Sequence, residues 1–452
     1  MIETILKINE KLNQIVWGIP TIILLIGAGI GISIITGFLQ FTKFKRIMKE
    51  TFGKMFTAPK GKEGDITPFQ ALTVAMGGTV GVGNIAGVAT AIALGGPGAL
   101  FWMLISGILG MATKFGEVVL SINYRIREKE GPMVGGPMVY IERGMGKKFK
   151  FLGIIFALFG AIAAFGIGNM VQANSVAEGA SHFGIPKFLT GIVLIIAVGL
   201  VTIGGIKRIA QVATFFVPFM CITYMICAIL VILKHFYNIP EAIKIIFIHA
   251  FKPVAPIGGF LGASISSAIK YGIARGVFSN EAGLGSAPVA HSTAKTDHPV
   301  RQGFWGCFEV FFDTIVMCFI TGLAIITSGV WITGKTGATL TSEAFSTLFG
   351  FNLGNAIVTI SMILTAYDTN LAWCFYGETY LSYLVGYKHI ARMIYRIIWL
   401  PFILLGSLGK LEAVWSIADT LNGLMAIPNI IALFYLLPVI RRLYIEFFKK
   451  FD

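Results

Sequence analysis

Long apolar runs separated by short polar loops dominate the chain, and about 20 mainly apolar residues suffice to cross a bilayer as a helix. That pattern predicts a first span near residues 16–40. Ten more follow near 66–94, 97–124, 150–180, 185–204, 209–234, 256–291, 302–328, 353–384, 391–408 and 412–438. Eleven spans define an all-α polytopic membrane protein whose termini lie on opposite sides of the bilayer. Ahead of the first span, Ile2, Ile5, Leu6, Ile8 and Leu12 interleave with Lys7, Glu10 and Lys11. Residues 1–15 therefore read either as a short interfacial amphipathic helix or as a frayed tail.

Two spans interrupt their own pattern. Gly77-Gly78-Thr79-Val80-Gly81-Val82-Gly83-Asn84 places four glycines in eight positions, and each glycine disfavours helix by about 1 kcal/mol relative to alanine. In hydrocarbon an unwound backbone is tolerated only where it is buried in protein or lines a polar cavity. A break here predicts bare carbonyls and amides placed to hold a small polar solute and an ion. Packing between helices through small residues would account for Gly77, Gly81 or Gly95 singly, but not for four glycines ending in Asn84. A second break covers 277–286. With a shift of 196 residues, Gly83–Thr90 falls over Ser279–Ser286 and the Asn-x-Ala-Gly core coincides.

The breaks fall in spans 2 and 7, so spans 2–6 and 7–11 form two units of five. An odd number of spans per unit inverts the second unit relative to the first, an architecture found in secondary transporters. The expected organisation has four parts. Residues 1–65 carry the amphipathic segment, an additional N-terminal transmembrane helix and a basic loop. The first five-helix unit follows over 66–234 and the second over 235–438; a basic tail covers 439–452.

Composition agrees, with 56% hydrophobic and 13% charged residues and a mean hydropathy of +0.80, against roughly 25% charged in soluble domains. The net charge of +14 would suit nucleic acid, but its placement argues otherwise. If loop 41–65 is cytoplasmic, so are 125–149, 205–208, 292–301, 385–396 and the tail, and 25 of the 36 Lys and Arg lie in or at the edge of these segments. The other face holds Lys7, Lys11, Lys187, Lys234, Lys244, Lys252, Lys335 and Lys410, and Lys114, Lys270 and Arg275 lie within spans. The asymmetry places the N-terminus outside and the C-terminus in the cytoplasm of a cell-membrane protein. The expected partners are the lipid bilayer and a small solute, with no nucleic acid and no soluble partner. Five cysteines in apolar runs, without C-x-x-C spacing, read as core residues.

Val80-Gly81-Val82-Gly83-Asn84 resembles the V-G-x-G-N unwound segment of sodium-coupled transporters with the LeuT fold. Pro97-Gly98-Ala99-Leu100-Phe101-Trp102-Met103, continuing through Gly107, Gly110, Met111 and Lys114, is similar to the signature of the alanine or glycine:cation symporter family. Ser279-Asn280-Glu281-Ala282-Gly283-Leu284-Gly285-Ser286-Ala287-Pro288 resembles that family too. The resemblance covers essentially the whole chain. It implies a LeuT-like 5+5 inverted repeat and cotransport of a small neutral amino acid, such as alanine or glycine, with Na+ or in some members H+.

An amino-acid zwitterion at the bilayer midplane needs freed amides and a cation for its carboxylate, and freed carbonyls for its ammonium. Thr79, Gly81 and Gly83 of the first break and Ser279 and Asn280 of the second are the candidates. The resemblance adds Gln172, which either donates to the substrate or makes an interhelical bond, together with Phe278 as a lid and Trp373 beside the substrate. It also implies a Na+ site between the first break and span 9. There Thr365, Asp368 and Thr369 share a helix face, and carbonyls of Gly77 and Val80 complete the set. A second cation site would use Thr79, Asn84, Ser279, Asp313 and Thr314. Crowding by Phe278 and Trp373 favours a small substrate side chain.

Carboxylates within spans are costly and default to functional candidates. Glu281 is the foremost, as a cap, an ammonium ligand or a proton carrier. Lys270 and Arg275 are expected to act with such carboxylates as gating or structural bridges. Glu309 and Asp313 share a face and require a cation nearby. Glu117, Glu178 and Glu378 lie nearer span ends and read as solvated. A channel would want a continuous polar lining or charge rings, whereas here the polar groups gather at two breaks. No H-E-x-x-H, G-x-S-x-G or P-loop spacing suggests an enzyme.

Overall fold

The computed structural model describes residues 2–57, 63–129, 131–409 and 412–451. Helix α1 covers Ile2–Val16 and α2 Ile19–Ile35. The first broken span is α3 (Pro68–Thr79), an irregular turn over 80–87, and α4 (Val88–Gly95). Then come α5 (Gly98–Tyr124), α6 (Lys150–Ala163) running through a widened turn into α7 (Val171–Ser181), α8 (Lys187–Thr202) and α9 (Gly205–Lys234). After α10 (Ile239–Phe251) comes the second broken span, α11 (Ile265–Asn280) and α12 (Ala287–His291). The chain continues through α13 (Pro299–Val310), α14 (Phe319–Thr327), α15 (Gly337–Phe349), α16 (Phe351–Leu384), α17 (His389–Leu408), α18 (Glu412–Tyr435) and α19 (Leu437–Phe451).

Seven described helices are long and apolar enough to cross a membrane alone, and the pair Pro68–Thr79 and Gly83–Gly95, bent by 53°, makes an eighth. The chain is thus a multi-pass membrane protein, although length and hydropathy alone do not reach the expected eleven. Two helices fall short for a functional reason. The α11 helix is only half of a broken span, and α16 carries a buried polar row including Asp368, Thr369 and Asn370.

Local chemistry starts and stops the broken spans. Thr67 and Gln70 cap α3 reciprocally, with Gln70 N donating to Thr67 Oγ1 at 3.1 Å and Thr67 N to Gln70 Oε1 at 3.0 Å. The helix ends where Val80 turns extended (φ −73°, ψ 103°). Ser264 caps α11 by accepting from Ser267 N. That helix ends at Glu281, held left-handed at φ 53°, with Gly283 and Gly285 at φ 92° and 84° behind it. Three residues in that conformation within five cannot continue a helix.

Several boundaries differ from the apolar pattern. Residues 256–264, expected as the start of span 7, are not helical. Val254 pairs with Ala263 and Ile257 with Phe260, and Gly258 and Gly262 take φ 58° and 88°. The first span, expected to reach residue 40, stops at Ile35, beyond which Gly37 and Phe38 are left-handed. Helices α10 and α15 occupy stretches expected as loops. They are too short to span, and α10 buries only a stripe of Ala242, Ile246 and Ala250. The α1 segment is helical, which removes the frayed-tail alternative; the side chains of Ile2, Ile5 and Leu6, and Lys410, lie outside the described residues. α5 is the central pillar, with α11 and α13 packed along it.

Candidate functional site

The two breaks touch. A Cβ added at Gly83 would lie 3.2 Å from Ser279 Cα, so only the absence of a side chain lets the backbones approach this closely. Beside that contact is a small cavity of about 40 Å3. Its floor is the first break, through Thr79, Gly81, Val82 and Gly83; Gln172, Phe278, Trp373 and Glu281 form walls. Thr369 also reaches it. Trp373 is fixed by close helix approach, since a Cβ at Gly168 would meet Trp373 Cβ at 2.1 Å. Its indole Nε1 is buried with no hydrogen-bond partner among the described residues. Gln172 donates from Nε2 to Ile167 O at 2.9 Å, a bond near its own turn, which leaves Oε1 unpartnered.

Asn84 and Asn280 hold the breaks open in related ways. Asn84 Oδ1 accepts from Gly81 N at 2.8 Å, and Asn280 Oδ1 accepts from Ala282 N at 2.9 Å. Their amide nitrogens then converge on consecutive residues of the widened turn after α13. Asn84 Nδ2 donates to Asp313 Oδ1 at 2.8 Å, and Asn280 Nδ2 to Thr314 Oγ1 at 3.0 Å. Ser279 and Thr314 donate to the other Asp313 oxygen at 2.9 and 2.8 Å.

Of the five residues expected at a second cation site, Asn84, Ser279, Asp313 and Thr314 therefore come together, as a carboxylate with three donors. Thr79 stands apart from that cluster. Its hydroxyl bonds back toward Ala75 O at 3.3 Å and faces Glu309 Oε1 at 3.5 Å. Ser279 and Asn280, expected to bind substrate, turn their side chains to Asp313 and Thr314 and do not line the cavity.

The carboxylate of Asp368 is the outlier. It is buried at 1% exposure, and neither oxygen has a hydrogen-bond partner among the described residues. A Cβ at Gly77 would lie 2.2 Å from Oδ2, so this glycine makes room for the charge. Thr369 Oγ1 donates to Gly77 O at 2.9 Å, while Thr365 Oγ1 bonds back to Met362 O at 3.1 Å. Val80 is fully buried at the end of α3. A buried carboxylate without donors costs several kcal/mol unless a cation compensates it, and two carboxylate oxygens beside a frayed helix end suit a hard ion such as Na+.

Other charges are paired in ways the sequence did not expose. The cation that Glu309 needs is Lys114, at 3.3 Å from Oε1. His291 Nε2 lies 2.8 Å from Oε2, and Gln302 Nε2 is 2.9 Å from His291 Nδ1. With the Gln302 amide nitrogen donating to Nδ1, the neutral imidazole carries its proton on Nε2, toward Glu309. Glu117 and Glu378, expected as solvated, are both buried. Asn429 Nδ2 and Gly283 N donate to Glu117, and Arg392 and Arg396 bind Glu378. Both carboxylates sit near helix ends, but those ends are covered by packed neighbours. Glu178, by contrast, is half exposed beside Lys187. Glu281 accepts from Ser286 Oγ. Lys270 and Arg275 make no ion pair among the described residues. Instead Lys270 Nζ sits 5.7 Å from the Tyr271 ring and Arg275 5.7 Å from that of Phe278.

The reading from sequence missed Asn422 and Trp415, which complete the cavity wall from α18. The signal available was an amide in an apolar span.

Two broken spans meeting at a small cavity, next to an uncompensated carboxylate, are the construction of an ion-coupled secondary transporter. The chain belongs to the sodium:alanine symporter family, whose model matches residues 2–452. It is 47% identical over 438 residues to the sodium/alanine symporter AgcS of Methanococcus maripaludis, covering 95% of this chain and 94% of that one. A transporter of Haemophilus influenzae is 43% identical over 450 residues, 99% of this chain and 97% of its own. Among solved structures, MhsT in complex with L-phenylalanine matches with TM-score 0.52 and 13% identity, over 85% of this chain and 99% of that one. That likeness establishes the LeuT-type fold alone.

Proposed function

We propose that the protein imports a small neutral amino acid, alanine or glycine, across the cell membrane in symport with Na+, by alternating access. The observation that carries this reading is the donor-free Asp368 carboxylate against Gly77, one helix turn from a cavity that only a small solute fills. Asp368, Thr365, Thr369 and the carbonyls of Gly77 and Val80 hold the ion. Backbone groups from Thr79 to Gly83 take the two ends of the zwitterion, Gln172 orients it, and Trp373 and Phe278 limit its side chain.

Because Thr369 contacts Gly77 and also lines the cavity, ion binding stiffens the wall that the substrate needs. That is a direct physical route to coupling. Residues 66–234 and 235–438 are the two inverted units, with the N-terminus outside and the C-terminus in the cytoplasm.

The test is alanine uptake into proteoliposomes, with Na+ and H+ gradients imposed separately. Uptake should follow the inward Na+ gradient and ignore the H+ gradient. Accumulation driven by H+ alone would replace Na+ by a proton, and downhill flux indifferent to both would point to a channel. Gly81→Val, which fills the cavity floor, should abolish uptake.

A further inference from the structure

The last helix, α19, follows the span α18 after a single residue and is amphipathic. Its stripe of Ile440, Leu443 and Phe447 is buried against the bundle. Phe447 meets the Phe304 ring of α13 at 5.5 Å, and Arg46 Nη2 donates to Phe451 O at 3.1 Å. The helix is therefore fastened along one side. Its other side exposes Arg441, Arg442, Lys449 and Lys450. A helix of this kind beside a span lies in the membrane interface, its basic face toward the headgroups.

Between α19 and the end of α2 runs a surface groove of about 480 Å3. Ile35, Leu437, Pro438 and Ile445 supply its apolar lining, and Arg441 and Arg442 its charge. Neither guanidinium has an ion pair or a hydrogen bond among the described residues. The two helices meet closely below it. A Cβ added at Gly27 would lie 3.4 Å from Phe434 Cζ, and one at Gly31 3.6 Å from Leu437 Cδ1. Beyond Ile35 the outward face of α2 continues as exposed Ile34, Ile30 and Ile23, an apolar strip suited to hydrocarbon. Tyr435, exposed beside the groove, is a residue type that gathers at headgroup depth. A neighbouring groove along α19 also contains Glu446, whose carboxylate opposes an anion there.

We propose that the groove between α2 and α19 binds one anionic phospholipid, its phosphate on Arg441 and Arg442 and an acyl chain along Ile35, Ile34 and Ile30. Guanidinium forks match phosphate oxygens in pairs, and the apolar strip below them continues into the bilayer. A soluble phosphate would use the rim alone, whereas a lipid uses rim and strip together. The bound lipid ties α19 to α2, two elements that lie outside the proposed five-helix units. The inference does not depend on which solute the protein carries.

The experiment titrates the purified full chain, in a neutral detergent, with phosphatidylglycerol, phosphatidylcholine or glycerol 3-phosphate. Native mass spectrometry counts bound lipid, and the melting temperature reports its effect on the fold. Phosphatidylglycerol should bind one per chain and raise the melting temperature. Phosphatidylcholine, with no net charge, should bind about ten-fold more weakly, and glycerol 3-phosphate should bind too weakly to shift the melt. Arg441→Gln with Arg442→Gln should weaken phosphatidylglycerol binding at least ten-fold, as the loss of two basic residues at a lipid surface requires. Arg441→Lys with Arg442→Lys keeps both charges and should retain the preference for phosphatidylglycerol.

Lys147→Gln with Lys148→Gln removes the same charge from the exposed turn before α6, and it should bind phosphatidylglycerol as the wild type does. Equal weakening in both Gln pairs overturns the site, because general attraction to a basic face then explains the binding. Phosphatidylcholine bound as tightly as phosphatidylglycerol overturns the charge selectivity on which the site rests. Glycerol 3-phosphate bound as tightly as the lipid overturns the lipid and leaves a phosphate site.

Discussion

Asp368 concentrates the physics of the site in one side chain. A carboxylate with neither donor nor cation in a dry interior costs several kcal/mol, and the fold makes space for it by requiring glycine at position 77, where any Cβ would fall 2.2 Å from Oδ2. Such a cost is recovered only when an ion binds, so ion binding must appear as stability. An ion at one hundred times its dissociation constant adds about 2.7 kcal/mol to the folded state. The purified wild type should therefore melt at higher temperature in NaCl than in choline chloride, and Asp368→Asn should melt at the same temperature in both. Because the amide removes the buried charge, the variant should be at least as stable as the wild type in choline. A Na+-dependent shift that persists in Asp368→Asn would move the ion elsewhere, the Asp313 cluster being the next candidate. Residue 368 was readable from sequence because a charge between Thr365 and Thr369 on one helix face has few structural explanations. Lys114 was not, since its partner Glu309 lies far along the chain, and His291, only 18 residues before Glu309, sits on a separate helix, so that folding alone reveals which carboxylate each one meets.

Elements that surround the broken spans must be rigid if the breaks alone are to move. One brace is an ion network on the basic face, where Arg392 of α17 donates to Glu128 at 2.9 and 3.0 Å and to Glu378 of α16 at 3.0 Å. Ser382 adds a bond to Glu128 at 2.6 Å. All three charged groups are about 1% exposed, so the network ties the loop after α5 to α16 and α17 without help from water. Removing one partner strands the others. Arg392→Leu should lower stability by about 3–5 kcal/mol, read as a fall in melting temperature in detergent. Glu128→Gln, which keeps a hydrogen-bonding shape, should cost less. Equal melting temperatures for wild type and Arg392→Leu would remove the brace from the account. The sequence marked where helices break, because glycine runs and left-handed turns are local chemistry. It did not mark α10 or α15, whose faces have meaning only against neighbours; Thr341 of α15 donates to Ile85 O at 2.9 Å in the first break, a contact that no local pattern announces. For the same reason residues 256–264 read as span, being apolar in composition, while two glycines at positive φ turned them into a surface loop.

At the scale of the whole molecule, the distribution of charge decides which way the machine faces, and orientation decides whether it imports. In the proposed orientation the segments that hold, or have at their edges, 25 of the 36 Lys and Arg face the cytoplasm, where the anionic headgroups of the inner leaflet would meet them. In the proposed site the ion is held at Asp368 and Gly77, beside the central cavity. The proposed direction of transport, import, goes with a cytoplasmic basic face. In a background with the five native cysteines replaced by serine, Lys252→Cys should react with a membrane-impermeant maleimide in intact cells. Lys449→Cys should react only after permeabilisation. The reverse pattern would invert the protein in the membrane and with it the proposed direction of transport.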